Sequence, residues 1–514
     1  MALSQETLAM LKGLAKDTTT TGFNTATGLV YINLEPTAKR LLPKPTPLRN
    51  RIGRVKSPTA GPGLAAQWRA LVAADGGIVG AGTGQYPGVS EGHRNSFMTV
   101  TERNYMATFA ALGKDIPTTF EAQFAGQGFD DIRGQASITK LNALMISEEK
   151  MILGGNAGSG SGLNGFQLGT ASAPTVALAS GGSLASGKYV GAAVVQLTYW
   201  GLQFATVSGG VVTQFNRTNA DASVDTINGG GSAISPMSGT VQTTGSTLAV
   251  TATTTNIPGA LGYAWYFDIE STNSVSLANA KLAAITTVPT YTLTANPTGT
   301  QTGSASGLSN DYSANSLDFT GMVGWTASAG GYVKDLGGLQ LTANGDGTIA
   351  EIETLLLNLA SNFLLTPERM YMSAGLLSSV TNKILTSSSG SAAPVGTQRI
   401  MFDSDALGRI TGGTLATQYR SKFMGAANGE NAAGMIDIHW HPLLPDNVIL
   451  FDFETNPYPD SSIPAVRRIM TMQEYYGIQW PMRTRQWEEG TYVNELFQHF
   501  VPFGQAMLTG VAHG

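Results

Sequence analysis

The residues best suited to metal chemistry are Asp437, His439 and His441, which recur at every second position. Side chains at this spacing on a β-strand point to one face, and carboxylate and imidazole groups both bind transition metals. Ile436 and Ile438 alternate with them, so the pattern also describes a solvated polar face opposite a buried apolar one. The sequence favours the polar face and keeps these three residues as a secondary metal candidate.

Two glycine-rich stretches resemble the sequence motifs of phosphate-binding loops. Gly160, Gly162 and Gly165 match G-x-G-x-x-G, but a dinucleotide site needs a preceding strand, whereas here a predicted helix comes first. The stretch 182–188 begins like a Walker loop, but Tyr189 occupies the position where magnesium requires a Ser or Thr hydroxyl. Neither stretch predicts a phosphate site, and no cofactor is expected.

Two pairs of adjacent acids could be proposed as catalytic carboxylates: Glu148 with Glu149, and Glu488 with Glu489. Adjacent residues diverge by about 100° on a helix and point to opposite faces of a strand, so neither pair converges on a substrate. Both pairs are therefore predicted to be surface charges. With five histidines and no cysteine, the chain has little material for catalysis, and it is not expected to be an enzyme.

The composition is typical of a scaffold. Glycine accounts for 63 of 514 residues, charged residues for 13%, and the formal net charge is −5. The lack of cysteine excludes a disulfide framework, and the mild negative charge argues against a general nucleic-acid coat. A hydrophobic content of 42% suffices for a buried core. Without a signal-peptide pattern or a long apolar run, we expect a soluble protein made inside the cell, with no membrane partner.

The chain changes character between residues 170 and 310, where only seven of 141 residues are charged. Period-two alternation at Tyr263–Ile269 predicts a half-buried strand, and turn clusters separate several similar runs. We therefore predict an all-β sandwich at 166–310, inserted into a host domain through flexible connections at 154–165 and 298–309. The insert is expected to be dispensable for the host.

The host is predicted to be α+β and to begin with an N-terminal helix and an extended basic arm at 1–55. Its stretch 39–56 carries seven cations and no acid, and closely spaced prolines stop a helix there. The cations are Lys39, Arg40, Lys44, Arg49, Arg51, Arg54 and Lys56. Three interpretations stay open: ion pairing with a neighbouring subunit, contact with packaged DNA, and a solvated arm.

A long hairpin is predicted at 56–115. Its strands, Gln67–Val72 and Ser96–Thr108, flank a glycine-rich tip that contains Gly80, Gly82 and Gly84. A two-stranded hairpin alone in water is marginally stable. We therefore predict that this one lies on another surface, with its tip at a subunit interface.

Two helices and a β-rich tail complete the host. The helix predicted at 130–153, within the region 116–165, has an apolar face and a charged side expected to face solvent. The apolar face comprises Ile138, Leu141, Met145 and Ile152, and the charged side Lys140, Glu148, Glu149 and Lys150. A second helix begins at Thr348 with Glu351 completing a capping box. The tail holds Trp440, Trp480 and Trp487, three of the seven tryptophans, so this region is expected to carry much of the host core.

In this order, the elements resemble a tailed-phage major capsid protein of the Hong Kong 97 type. The resemblance covers roughly 20–155 and 315–510, and it is carried by the element order and by loose segments: Glu-Glu-Lys-Met-Ile-Leu-Gly-Gly-Asn at 148–156, Thr-Pro-Glu-Arg-Met-Tyr-Met at 366–372, and the aromatic C-terminal strands. It implies an N-arm, an E-loop hairpin, a spine helix, and peripheral and axial domains at 311–514. The insert resembles immunoglobulin-like or fibronectin type III-like modules, which some of these capsid proteins display outside the shell.

The resemblance implies a structural protein whose copies form the pentamers and hexamers of an icosahedral shell around double-stranded phage DNA. It implies a virion capsid assembled in the host cytoplasm. Implied partners are further copies of the chain, portal and scaffolding or decoration proteins, and DNA bound without sequence specificity. Two other classes stay open: the shell of an encapsulin-like nanocompartment, and a β-rich surface adhesin or binding protein.

Overall fold

The computed structural model describes residues 41–57, 65–74, 88–95, 97–127, 130–160, 163–344, 347–386, 403–404, 410–411, 416–423, 434–456, 458, 463 and 465–513. The predicted N-terminal helix and the glycine-rich tip of the hairpin, with Gly80, Gly82 and Gly84, lie outside these residues, as do Lys39 and Arg40.

The described elements alternate between strands and a smaller number of helices. The helices are α1 (Phe120–Gly126), α2 (Ile132–Gly154), α3 (Tyr199–Phe204), α4 (Met322–Ser328), α5 (Ala350–Phe363) and α6 (Ala374–Thr386). The first strands are β1 (Arg54–Lys56), β2 (Ala65–Ala74), β3 (Val100–Thr108) and β4 (Ala110–Thr119). The charge-poor segment holds β5 (Thr175–Ala179), β6 (Tyr189–Leu197), β7 (Gln214–Thr218), β8 (Val224–Asn228), β9 (Val241–Gln242), β10 (Ala249–Thr253), β11 (Gly262–Glu270), β12 (Lys281–Thr286) and β13 (Thr290–Leu293). The tail holds β14 (Tyr332–Asp335), β15 (Arg369–Met372), β16 (Asp403–Ser404), β17 (Ile410–Thr411), β18 (Gln418–Arg420), β19 (Met435–Trp440), β20 (Ile449–Asp452), β21 (Arg467–Gln479), β22 (Gln486–His499) and β23 (Ala506–Thr509).

The long helix α2 packs on a four-stranded sheet. The strand order is β1–β21–β22–β4, in which β1 runs parallel to β21 and the other pairs are antiparallel. Leu144 and Ile152 of α2 are fully buried. The Lys140 ammonium donates a hydrogen bond to the Glu489 carbonyl oxygen in β22 at 3.0 Å. This layer holds the helix and the end of the basic arm together.

A six-stranded sheet forms the second part of the host, in the order β14–β23–β20–β15–β19–β18. Helix α5 buries Ile352, Leu355, Leu356 and Leu359 in one apolar cluster with residues of β15 and β20, at the spacing of a single helix face. The host is therefore α+β, as predicted. The tail supplies much of the host core, as predicted, through residues such as Ile436, Phe451 and Phe497, which are fully buried. The tail tryptophans contribute little to it, because Trp440 and Trp480 are 56% and 41% exposed.

The predicted capping box of the second helix is also wrong. The N-cap of α5 is Ile349, and no side chain caps the helix there. Glu351 instead accepts a hydrogen bond from the Thr342 amide at 2.9 Å, which ties the helix to the preceding loop.

Helix α2 buries only one end of the face that its apolar pattern assigns to the core. Ile152 on this face is fully buried, but Ile138 is 44% exposed. The side chains of Glu148 and Glu149 are completely buried, and Lys140 is only 5% exposed. The helix is confirmed, but the prediction that its charged side faces solvent is wrong, because charged partners from other elements compensate the buried charges.

The charge-poor segment folds into two sheets that share a core. Their strand orders are β13–β10–β5 and β12–β11–β6–β9, and the shared core includes Tyr263, Trp265 and Phe267. The opposite face of β11, with Ala264 and Tyr266, packs against a further layer of irregular chain. Strand β11 is therefore buried on both faces rather than half-buried, because a second layer covers its outer side.

Both connections of this segment are packed. The Asn156 amide donates to the carbonyl oxygens of Phe166 and Ser313, both at 2.9 Å, and its carbonyl accepts from the Phe166 and Gly158 amides at 3.0 and 3.2 Å. In the second predicted connection, Leu308 is 2% exposed. One side chain thus joins the chain entering the segment to the chain leaving it, and the expectation of flexible connections is corrected.

The segment also contributes to the host core. Tyr199 is 1% exposed, shares a cluster with Ile152 and Phe319, and donates a hydrogen bond to the Leu443 carbonyl at 3.0 Å. Leu261 is fully buried in the same cluster. Excision of residues 170–310 would therefore remove side chains from the host core. That the insert is dispensable for the host stays a prediction, which this excision would test.

We predict that Asp318 makes stability fall as pH rises. Burial raises the pKa of this carboxyl to about 7, although the hydrogen bond that the Asn156 backbone amide donates to it at 3.4 Å lowers the pKa. A raised folded-state pKa stabilises the fold below the unfolded value near pH 4, and this stabilisation is lost as pH rises through about 7. Asp318→Asn should therefore raise the thermal midpoint at about pH 8 and leave it little changed near pH 5.

The measurement is thermal unfolding followed by circular dichroism at both pH values. Glu91→Gln, at an exposed position, is the matched control and should change neither midpoint. An Asp318→Asn midpoint that follows the parent chain at both pH values would contradict the prediction.

Candidate assembly site on the long helix

The basic arm is anchored to its own chain from Thr46 onward. Residues 46–50 form a turn in which the Ile52 amide donates to the Leu48 carbonyl at 3.1 Å. Leu48 is fully buried and Ile52 is 5% exposed. Strand β1 then adds to β21 in parallel, with Arg54 opposite Ile469. The second half of the arm is therefore an integral strand and turn of the body.

Glu149 binds the backbone of this turn. One carboxylate oxygen accepts from the Leu48 amide at 2.9 Å, and the other accepts from the Arg49 amide at 2.7 Å. The His441 ring nitrogen Nε2 lies 2.7 Å from the first oxygen, and both side chains are completely buried. Hydrogen bonds to a buried carboxylate offset its loss of hydration.

Glu148 binds the side chains of the arm. Its carboxylate accepts from the Arg49 guanidinium at 2.8 Å, from the Arg54 guanidinium and from the Tyr475 hydroxyl of β21. Arg54 also pairs with Glu495 of β22 at 3.1 Å. Burial raises the pKa of the Glu495 carboxyl, and the nearby Arg54 charge opposes that rise.

The Tyr475 ring lies between the two guanidinium groups. The Arg49 and Arg54 guanidinium carbons are 5.4 and 5.1 Å from its centroid, within the range of cation–π attraction. Its hydroxyl accepts from the Arg49 guanidinium while donating to Glu148. We call this group, Arg49, Arg54, Glu148, Glu149, His441, Tyr475 and Glu495, the arm anchor.

The arm anchor corrects one prediction. Glu148 and Glu149 are buried rather than surface charges, and their divergence around the helix is what lets one bind arm side chains while the other binds arm backbone. Arg49 and Arg54 pair with carboxylates of their own chain. The place of the arm cations at a subunit interface stays a prediction, and of these cations Lys44, Arg51 and Lys56 are exposed.

Sequence reasoning missed His441, Tyr475 and Glu495 as partners of the arm. They lie hundreds of residues from Arg49 along the chain, and local periodicity carries no information on such contacts. The available signal was the arm itself, because seven cations without an acid require carboxylates from elsewhere.

The metal candidate is not assembled. Asp437 accepts a hydrogen bond from the Gln418 amide at 3.0 Å, His439 stacks on the Tyr371 ring at 5.6 Å, and His441 turns to Glu149. Burial, aided by nearby arginines, lowers the pKa of His439. In the described ranges, no group of three or more potential ligands is placed to hold a metal ion.

The long hairpin buries one face of β2 and exposes the other. Trp68 of β2 contacts Trp325 at a ring distance of 5.5 Å, and Val72 of β2 and Tyr105 of β3 are 8% and 2% exposed. Leu71 of β2 and Met98, by contrast, are 72% and 60% exposed. Strands β2 and β3 pair only with each other within the described part of the chain. The hairpin therefore carries unpaired edges and exposed apolar side chains.

Comparisons with known proteins give likenesses to solved structures only. No protein-family model matches the chain. No curated protein matches it either. Among the described helices, none is long and apolar enough to cross a membrane.

The solved structures that the chain matches include bacteriophage capsids. The capsid of a native GTA particle has 10% identity and a TM-score of 0.38, over 95% of this chain and 98% of that chain. The capsid of cyanophage P-SCSP1u has 9% identity and a TM-score of 0.39, over 98% of both chains. The phage G major capsid proteins with decoration proteins have 6% identity and a TM-score of 0.32, over 97% of this chain and 100% of that chain. Likenesses at these TM-scores do not indicate a function for this chain.

We predict that Glu148→Ala releases the arm. Removing one partner of a buried ion pair leaves the other charge uncompensated, at a cost of about 3–5 kcal/mol. The variant should lower the thermal midpoint and speed tryptic cleavage at Arg49, Arg51 and Arg54, which mass spectrometry can locate.

The matched control for this prediction is Glu121→Ala. Glu121 pairs with Arg485 at 2.8 Å, but both side chains are largely exposed, at 63% and 84%. Loss of such a surface pair is worth little. If Glu148→Ala were cut at the arm no faster than this control, the anchoring role of Glu148 would be disproved.

Proposed function

We propose that the protein is a major capsid protein whose copies assemble into an icosahedral shell around double-stranded phage DNA. The observation that supports this proposal best is the two-stranded hairpin β2–β3, whose strands pair only with each other among the described residues. The hairpin exposes Leu71, Met98 and Val100 at 72%, 60% and 51%. Unpaired edges and apolar surface of this kind favour association with another chain. Neighbouring copies would pair with these edges and bury these side chains.

The anchored arm supports the same proposal. The arm anchor fixes residues 46–57, so the chain before Thr46 leaves the body at a defined point, where Leu41 and Leu42 are 89% and 78% exposed. An extension held rigidly at one end presents its apolar residues in a fixed direction. Several modest contacts of this kind, made by each copy with different neighbours, would add up through avidity.

The remaining parts have proposed roles in such a shell. The two-sheet insert is proposed to be immunoglobulin-like and to face outward from the shell. Decoration proteins could bind to it there. Lys44, Arg51 and Lys56 are exposed and would contact a neighbouring subunit or the packaged DNA. Scaffolding and portal proteins are expected partners, with assembly in the host cytoplasm.

We predict that Leu71→Ser combined with Met98→Ser impairs particle formation without unfolding the chain. Both side chains are mostly exposed in the single chain, so their loss removes little internal packing. Negative-stain microscopy and light scattering should show far fewer particles, with a nearly unchanged circular dichroism spectrum.

The matched control is Val224→Ser, at a 56% exposed apolar position on the insert, which should assemble normally. Particles formed at the parental yield by the double variant would refute the role of the hairpin. A parent chain that stays monomeric under all assembly conditions would refute the shell itself. Particles that enclose enzymes and no nucleic acid would favour the nanocompartment.

A further inference from the structure

The four-stranded sheet has a face that points away from α2. Trp487 and Glu489 of β22 point towards α2, where the Arg133 guanidinium contacts both side chains. Side chains alternate along a strand, so the residues between these two lie on the opposite face. We call that opposite face the tyrosine face, and it comprises Asp115 and Pro117 of β4, Tyr476 and Ile478 of β21, Trp480 just after β21, and Glu488 and Tyr492 of β22.

The Tyr492 ring lies on the sheet at the centre of this face. It stacks on the Tyr476 ring at a centroid distance of 5.9 Å, and the Trp480 ring stands nearly perpendicular to it at 6.4 Å. Gly113 and Gly490 make room for the Tyr492 ring, because a Cβ atom at either position would clash with it. The three rings therefore form an aromatic surface that is built into the sheet.

This surface is open to solvent and carries negative charge. Trp480 is 41% exposed, and Asp115 and Pro117 are also exposed. The Tyr492 hydroxyl donates a hydrogen bond to the Asp115 carboxylate, whose oxygens lie 2.7 and 2.8 Å away. Asp115 and Glu488 are the charged side chains that the register of β4 and β22 places on this face. Aromatic rings beside carboxylates suit a partner that combines apolar groups with a cation.

The arm contains a segment of this chemistry. Residues 41–44 are Leu-Leu-Pro-Lys and have no regular secondary structure. Leu41 and Leu42 are 89% and 78% exposed, and Lys44, the one charged residue of the segment, is exposed as well. The arm anchor holds the chain that follows at Leu48. Because the segment and the tyrosine face are both exposed in one chain, they do not cover each other.

We propose that residues 41–44 of one copy dock on the tyrosine face of a second copy. The leucines and Pro43 pack on the aromatic rings, and Lys44 pairs with Glu488, since Asp115 already binds a tyrosine hydroxyl. The contact joins two different surfaces, so it is head-to-tail and forms a ring wherever the rotation between copies closes. The inference rests on the proposed assembly and names one contact through which the copies associate.

The lack of cysteine makes the test direct, since introduced thiols are the only ones. Leu42→Cys and Pro117→Cys are made in separate full-length chains, which are mixed and treated with a short bifunctional maleimide. Pro117 lies opposite Glu488 in the register, so its replacement leaves the three rings in place. We expect a cross-link between positions 42 and 117 of different copies, identified by mass spectrometry. Val224→Cys, at an exposed position on the insert, replaces Pro117→Cys in the control and should not cross-link to position 42.

Absence of the cross-link between positions 42 and 117 in every state, from free chains to particles, would overturn the proposal. A cross-link of Pro117→Cys to Leu71→Cys in its place would also overturn it, because the hairpin would then be the occupant. Particles that form without the expected cross-link would refute the docking and leave the shell standing. Cross-linked copies that never close into particles would refute the shell and leave the docking standing, so the two proposals fail separately.

Charge reversal separates docking from misfolding. Lys44→Glu in the Leu42→Cys chain brings like charges together and should lower the cross-link yield roughly tenfold. Glu488→Lys in the Pro117→Cys chain should then restore the yield, which it could not do for a misfolded arm. Lys281→Glu, at an exposed cation on the insert, is the matched control and should leave the yield unchanged. An undiminished yield with Lys44→Glu, or no recovery with Glu488→Lys, would contradict the pairing.

Discussion

The structure depends on the burial of two adjacent carboxylates on one helix. Glu148 and Glu149 are completely buried, and a buried charge is tolerated only when it is paired and hydrogen-bonded. Their partners come from the arm, from β21 and from the loop after β19, while Glu495 of β22 shares Arg54. Compensating these charges therefore fixes where each of these segments lies. The position of the arm follows from these charges together with the apolar packing of Leu48 and Ile52, which are both buried.

The compensation of these buried charges holds one part of the arm against its own body and leaves another part exposed. After Thr46 the arm is bonded to its own body, whereas Leu41 and Leu42 before it are exposed. The hairpin also combines both kinds of surface, since Tyr105 and Val72 are buried against the body while Leu71 is exposed. Both projections are thus held to the body and still expose apolar side chains. The proposed association with other copies depends on these exposed side chains.

Local pattern predicted the kinds of elements well and their orientation poorly. The hairpin, the long helix and the strand at 435–440 were predictable because alternation and helical spacing are local properties. The orientation of α2 was not, because which face is buried depends on what covers it. Glu148 is buried because ion pairs compensate its charge, whereas Ile138 is partly exposed because the described chain does not fully cover its side of α2. The prediction that β11 is half-buried was wrong for the same reason, since a second layer covers the face that carries Tyr266. The Tyr266 hydroxyl donates a hydrogen bond to Gln301 in that layer.

The insert shows that composition predicts where a region differs but not how it packs against the rest of the chain. Its low charge marks a different chemical environment, and that inference from composition is sound. Composition does not report separability, however, because one side chain such as Tyr199 can join two regions into one core. Asn156 strengthens the union by bonding both connections where they leave the host. A module attached in this way cannot swing freely, so anything bound to it would be held in a fixed orientation relative to the long helix and its arm.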